Sequence, residues 1–398
     1  MTLRSQLKRE WQIWRSESWL KALTLWIPVL LFVVVWAIFS GGIARDLSIG
    51  VVDLDHSRIS RQLTRYYDAS PALAVTEQFA SVEQGSTALR NGDIYALVVL
   101  PANLESDTLI GRAPEVTAFY NSQFILIGKL INSALLQAQG TFTAGVDTLK
   151  NMVGGSPVPL QALGQAVPVR SQITPLYNTN SHYGQFLVSA AIPAMWQILM
   201  VATTVLAMAA ERRQRGVSQW LVNHPIRNLV AKMLPYTAMF WLQGIVFLVG
   251  MYQWLDWPMH GSWGILLSAQ LLTVVACQGI GALIFLLTLD PTRAMSMVAG
   301  FTAPAFAFMG ITFPASDMPL LAQIWRALLP ISHYIEVQVM QVNYGSSLAN
   351  TMPKMWGILA FWLVFLLVFK KAKQISQQQG LKQSEVNPVE QASEEVKA

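Results

Sequence analysis

The chain has 398 residues, of which 53% are apolar and only 12% charged. Soluble globular proteins carry about 25% charged residues, so this composition excludes an ordinary water-soluble enzyme or binding module. A net charge of +5 would suit nucleic acid, but the basic residues gather beside apolar runs and not in a groove-like patch.

At the N-terminus, Leu3, Leu7, Trp11, Trp14 and Ser18 recur at helical spacing, with Arg4, Lys8 and Arg15 on other faces. This predicts a cytoplasmic interfacial helix over 1–21, with plain continuation of the first span as the alternative. The first apolar run lacks a small-x-small cleavage site, which predicts a retained span (22–44).

Five stretches, 22–40, 183–210, 233–255, 261–289 and 294–316, contain no charged side chain. As helix each is long enough to cross roughly 30 Å of hydrocarbon. A shorter sixth, 355–369, is flanked by Lys354 and Lys370, whose stems reach the headgroups. The expected fold is a polytopic α-helical membrane protein with six transmembrane helices and an extracytoplasmic α/β domain between helices 1 and 2. Fourteen Trp and 17 Phe suit helix ends in the interfacial belt.

Orientation follows from charge. Arg4, Lys8, Arg9, Arg15 and Lys21 precede the first span; Arg212, Arg213, Arg215, Arg227 and Lys232 lie in the connection 211–232. Arg293 and Lys370, Lys371, Lys373, Lys382 and Lys397 fall on the same side, whereas the short loop 256–260 has no basic residue. The positive-inside bias puts both termini in the cytoplasm, and the basic charge reports contact with anionic lipid.

Between Arg45 and His182 the chain becomes polar, with nine basic and eleven acidic residues. Strands are predicted at Leu47–Asp55, Leu73–Phe79, Ile94–Leu100 and Val116–Tyr120. Helices follow from the Ser57 cap and over 81–91, and a long one covers 122–152. Such a βαβα series folds as a layered domain, here 45–182, with its own core.

The membrane part resumes at 183–372. Its outer connection 317–352 contains helical stretches bracketed by Pro319 and Pro330, with Arg326, His333 and Glu336 as polar points on apolar faces. These read as re-entrant helices on the outer side. The tail 373–398, rich in Gln and Glu, is expected to be a disordered cytoplasmic segment.

The chain has no GxxxxGK[ST], HExxH, CxxC or GxSxG motif. Its five histidines (56, 182, 224, 260, 333) lack ligand spacing, and the lone Cys277 sits inside a span. No catalytic, cofactor or metal residue is therefore expected. Asp53 and Asp55 end the first strand as a carboxylate pair that reads as turn and capping residues, with cation binding as the weaker alternative. Ion-coupled carriers keep a charged residue at midplane. Here Glu211, Asp256, Asp290, Arg293 and Asp317 lie at span ends, and the interior polars are Gln197, Thr203, Thr204, Gln243, Gln270 and Gln278. Gln243, Gln270 and Gln278 are placed to hydrogen-bond between helices, or else to line a substrate path. Gly244, Gly279, Gly281 and Gly300 read as close helix contacts.

The stretch ERRQRGVSQWLVNHPIRNLVAKMLPY (211–236) resembles the integral-membrane subunits of ABC-2 type exporters, in the branch with a large extracytoplasmic domain after the first span. Glu211, Arg212, Gly216, Leu221, Pro225, Lys232 and Pro235 carry the match. A second match is GITFPASDMP (310–319) with LLPISHY (328–334). The sequence departs from the family pattern at Val217, Gln219, Ala231 and Thr179.

The resemblance implies an exporter permease of the bacterial inner membrane, without its own ATPase site. Cytosolic P-loop ATPases holding ATP and Mg would grip a coupling element containing Glu211, Arg212, Gly216, Trp220, Leu221 and Pro225. A second copy or a paralogous permease would complete the membrane part, with a periplasmic adaptor as a further partner and no nucleic acid. Leu-, Val- and Phe-rich spans offer little to a bare charge, so an amphipathic or lipophilic cargo is expected. Phe301, Phe306, Phe308, Met309 and Phe313 are its candidate pathway, or else simple packing residues. The competing reading is an envelope receptor or scaffold whose outer domain binds a protein without transport.

Overall fold

In the computed structural model, residues 3–154, 158–167, 176–178, 182–221 and 224–395 are described, the side chains of 3, 215–219 and 379–395 apart. The chain divides into two compact units, one of Met1–Gly42 with Pro175–Ala398 and one of Ile43–Thr174.

The first unit begins with α1 (Leu3–Ser16), which ends before Glu17 in extended backbone. Helix α1 is therefore separate from the first span and not its continuation. That span, Ser18–Ile38, comprises α2 (Ser18–Lys21), a π-helical turn (Ala22–Trp26) and α3 (Ile27–Ile38). Pro28, in the first turn of α3, has no amide hydrogen to give the preceding turn, and the wider turn accommodates it.

The inserted unit, Ile43–Thr174, runs β1 (Leu47–Asp53), α4 (Arg58–Asp68), β2 (Leu73–Phe79), α5 (Val82–Asn91), β3 (Ala96–Leu100), α6 (Leu104–Leu109), β4 (Thr117–Tyr120), α7 (Ile125–Val153) and α8 (Pro159–Ala166). The strand order is β2-β1-β3-β4, with β1 parallel to β2 and β3, and β4 antiparallel on the edge. Ser57 caps α4 by accepting from Ser60 N, as its position predicts, and Ser81 caps α5 by accepting from Gln84 N. One sheet face buries Ile49, Val51 and Val98 against Leu63, Tyr67, Ile131 and Leu135 of α4 and α7. The other packs Val52 and Leu97 against Ala88 of α5. The α5–β3 approach is tight, since a Cβ on Gly85 would lie 2.4 Å from Leu97 Cδ1.

The chain returns to the first unit through α9 (Tyr183–Leu221) and α10 (Pro225–Val249), the latter extended by a π-helical turn, Gly250–Trp254. Then come α11 (Trp263–Thr288), α12 (Pro291–Thr302), α13 (Ala305–Phe308), α14 (Leu320–Ala327), α15 (Pro330–Val342), α16 (Leu348–Ala360) and α17 (Trp362–Glu395). Among the described residues, five helices are long and apolar enough to cross a membrane: Ser18–Ile38, Tyr183–Gln214, Pro225–Trp254, Trp263–Thr288 and Leu348–Gln378.

One expectation is corrected. Residues 294–316 are not one continuous helix: α12 stops at Thr302, Pro304 starts a separate turn, and Gly310 sits at a φ of 86°. Pro304 has no amide hydrogen for the ladder and clashes one turn back, and here the helix ends ahead of it, whereas α9 and α10 continue through Pro193 and Pro235. In the tail, α17 runs as helix to Glu395. Gln, Lys and Glu are good helix formers, and a helix already nucleated in the apolar 362–369 extends into them.

Helix α11 lies at the centre, with Cys277, Ala282 and Phe285 fully buried against α9, α10, α15 and α17. Three of the four predicted close glycines do this packing. A Cβ on Gly281 would come within 2.8 Å of the Val201 carbonyl, on Gly244 within 2.2 Å of Gln270, and on Gly279 within 2.9 Å of Phe365. Gly300 has nothing within 4 Å of such a Cβ and makes no close contact.

Candidate functional site

The most concentrated polar chemistry of the first unit lies where α1 meets the α9–α10 hairpin. Glu10 of α1 sits among Leu7, Trp11 and Trp14, on the face turned toward α10. Across from it, the Lys232 Nζ of α10 donates to Glu10 Oε2 at 2.8 Å and to Glu211 Oε2 of α9 at 3.2 Å. Arg9 completes the set by pairing with Glu211, and the Tyr236 hydroxyl donates to Glu10 Oε1 at 2.9 Å. Glu10, Glu211 and Lys232 are each no more than 5% exposed at the side chain. Two carboxylates thus face two cations, so the cluster is internally neutral. Burial pushes the Glu10 carboxyl above its ordinary range, and Lys232, beside it, pulls in the opposite direction.

Two further bridges bind the same three helices. Gln6 Nε2 donates to Asn228 Oδ1 at 2.6 Å, and Asn228 Nδ2 donates to the Trp220 carbonyl at 2.6 Å. Arg213 pairs with Glu17 at 2.8 Å. Deeper along the same helices, the Trp14 indole donates to Thr24 Oγ1 at 2.9 Å, and Gln243 donates to the Thr24 carbonyl. Helix α1, the first span and both arms of the hairpin are therefore cross-linked at several levels.

This geometry redistributes the residues expected to form a docking element. Glu211 is 2% exposed, Trp220 6% and Leu221 0%, so these three support the hairpin from within and offer no surface. Arg212 is exposed, and Pro225 opens α10 half-buried. Gly216 falls within α9, near its end. Lys232, expected as a topology-setting charge and as part of the family match but not as a site residue, is the centre of the network.

The residues of the expected pathway differ in their exposure. Met309 is buried, Phe301 and Phe308 pack on the helical core, and Phe306 and Phe313 are exposed. Phe301 leans on Trp325 of α14 at 6.2 Å between ring centres. The interior glutamines serve mainly as helix ties: Gln278 accepts from Thr237 at 2.7 Å, and Gln197 accepts from Ile331 N at 3.1 Å. Near them, Gln338 donates to the Ser189 carbonyl and the Tyr252 hydroxyl. On the α14–α15 elements, Glu336 pairs with Arg326 and Lys354. Burial raises its carboxyl, but hydrogen bonds from Lys354 and Arg326 outweigh that and hold it below the ordinary range.

In the inserted unit, Asp53 and Asp55 are local structure. Asp53 accepts from the backbone amides of Asp55 and His56 and from the Ser60 hydroxyl, while Asp55 accepts from Glu105 N at 3.0 Å. No cluster of three or more potential metal ligands occurs among the described residues.

Buried charge in an apolar helical bundle is tolerated where it is cancelled, and here it is cancelled at one end of long spanning helices. The chain is a multi-pass α-helical membrane protein. It belongs to the ABC-2 family of transporter proteins, whose pattern it matches over residues 18–369. Members of that family are permease subunits without a catalytic ATPase site. Among curated proteins it is similar to "Probable multidrug ABC transporter permease YbhR" of Escherichia coli strain K12 and of Escherichia coli O157:H7. Each is 23% identical over 357 residues, covering 89% of this chain and 93% of the relative.

Proposed function

We propose that this chain is the membrane-spanning subunit of an ATP-driven exporter, moving an amphipathic or lipophilic substrate outward across the bacterial inner membrane. ATP and Mg belong to separate cytosolic P-loop ATPase subunits, where the phosphoryl transfer takes place. The carrying observation is Lys232 bridging Glu10 and Glu211. That bridge turns the α9–α10 hairpin and α1 into one stiff body continuous with three spanning helices. A force applied at its tip is transmitted to the spans without bending the connection, and a passive anchor has no use for such a lever.

On this reading the hairpin tip, from Arg212 through Gly216 to Pro225, faces the ATPase, and Glu211, Trp220 and Leu221 keep it in shape. The inserted unit is extracytoplasmic, and α12–α13 form a broken sixth crossing. A second copy or a paralogous permease faces the surface carrying Phe306 and Phe313, with Phe301, Phe308 and Met309 behind it, and a periplasmic adaptor joins the outer side. Deformable aromatic and Met surfaces favour lipophilic cargo, and the word "multidrug" in the relatives' name supports the same class.

The test is coexpression with any P-loop ATPase that the neighbouring reading frames encode, followed by copurification and ATP hydrolysis assays in lipid. Arg212→Glu should insert normally yet lower complex formation and hydrolysis together. An inserted, folded wild-type chain that captures no ATPase would favour the receptor or scaffold reading instead.

A further inference from the structure

The face of α1 that holds the charge network also borders an open groove. Leu7, Trp11 and Trp14 form one wall, and Leu234, Ala238 and Met239 of α10 form the other, around a volume of about 330 Å³. The walls are almost wholly apolar, and the one carboxylate that reaches them, Glu10, is already bound to Lys232. Trp11 is 46% exposed and Leu234 47%.

The rim supplies the selectivity. Arg4, Lys8 and Arg15 recur at four- and seven-residue steps, a stripe of α1 that borders Trp11. All three are exposed, and none forms an ion pair with a described residue, in contrast to Arg9. The Arg15 guanidinium lies 5.7 Å above the Trp11 ring, which itself stacks on Trp14 at 4.7 Å. An apolar slot edged by three unpaired cations, beside a helix that enters the bilayer, matches an anionic amphiphile and repels a cationic one.

We propose that this groove seats an acyl chain of an anionic phospholipid, its headgroup resting on Arg4, Lys8 and Arg15. The bound lipid braces α1 against α10 beside the Lys232 network, so the state of the hairpin responds to the charge of the surrounding leaflet. The site is independent of which substrate is exported.

The experiment uses the purified full-length protein in vesicles of equal parts dioleoyl-phosphatidylcholine and dioleoyl-phosphatidylglycerol, with one or the other lipid brominated. Subtracting a Trp11→Phe/Trp14→Phe variant isolates the fluorescence of these two indoles. Brominated phosphatidylglycerol should quench that increment severalfold more than brominated phosphatidylcholine, each basic residue contributing up to about fivefold in preference. Arg4→Gln/Lys8→Gln/Arg15→Gln should equalise the two lipids. Ala238→Trp, which fills the groove from the exposed opposite wall, should remove quenching by both and leaves the topology-setting charges intact. Equal quenching by the two lipids in the parent chain, or an undiminished preference in Ala238→Trp, would overturn the proposal.

Discussion

Lys232 and Glu10 form a buried ion pair at 2.8 Å between two helices that lie 222 residues apart in sequence. Buried charges lose hydration worth several kcal/mol each, so such a pair persists only with close geometry and further hydrogen bonds. Tyr236 and Glu211 provide those bonds.

Removing one partner should cost more than removing both. Lys232→Met leaves two buried carboxylates short of a cation and is expected to destabilise by about 3–5 kcal/mol. Adding Glu10→Gln to it should recover part of that loss. Thermal denaturation in detergent across the double-mutant cycle measures the coupling, and strictly additive losses would show that the two residues act independently.

The Glu10 carboxyl, raised by burial despite Lys232, gives stability a definite pH dependence. The folded chain holds a proton there at pH values where the unfolded chain, near its ordinary 4.5, has released it. The contribution of this group therefore rises as pH falls toward that value and is lost as pH climbs through the folded value. Compared with Glu10→Gln, the wild type should gain melting temperature as pH falls toward the ordinary value of 4.5. A difference that stays constant as pH falls, or runs the other way, contradicts the assignment.

Glycine substitutions should separate contact from conformation. Gly281→Ala drives a methyl against the Val201 carbonyl and Thr204, neither of which can yield without moving α9; the loss should be about 1–3 kcal/mol. Gly300→Ala meets nothing within 4 Å and should stabilise α12 by up to about 1 kcal/mol through helix propensity. Melting temperatures of the two purified variants should move in opposite directions.

Asp53 should behave as a structural acceptor. Asp53→Ala strips partners from two amides and a hydroxyl and should cost about 1–3 kcal/mol. Calcium or magnesium added to the wild-type chain should leave its melting temperature unchanged, whereas a rise that Asp53→Ala abolishes would reinstate the cation reading.

Topology is open to direct measurement. An export-dependent reporter fused at Gly154 should be active and one at Gln214 silent, with a cytoplasm-dependent reporter giving the converse. The reversed pattern would invert the assignment of every loop.

The spans were legible because runs such as 261–289 are apolar without interruption, and the strands at 73–79 and 96–100 because β-branched residues lie between clear capping serines and glycines. The break at Pro304 was also written in the sequence, but an uncharged run masked it: hydropathy counts charge and not the ladder bond that proline removes. The Lys232 network was harder to read. Lys232 looks like one of many basic residues beside a span, and its partners come from distant segments. One signal was present, since Glu10 falls beside Leu7, Trp11 and Trp14 on the apolar face of α1, where an unpaired acid would be costly.

The distance in sequence between Glu10 and Lys232 also sets an order for biogenesis. At about 5–20 residues per second, a ribosome needs on the order of ten to forty-five seconds to deliver Lys232 after Glu10 has emerged. Through that interval the first span is inserted while its leading helix still awaits its cation. The nascent chain therefore passes through a stage in which Glu10 lacks its buried partner, and that stage ends when α10 is made.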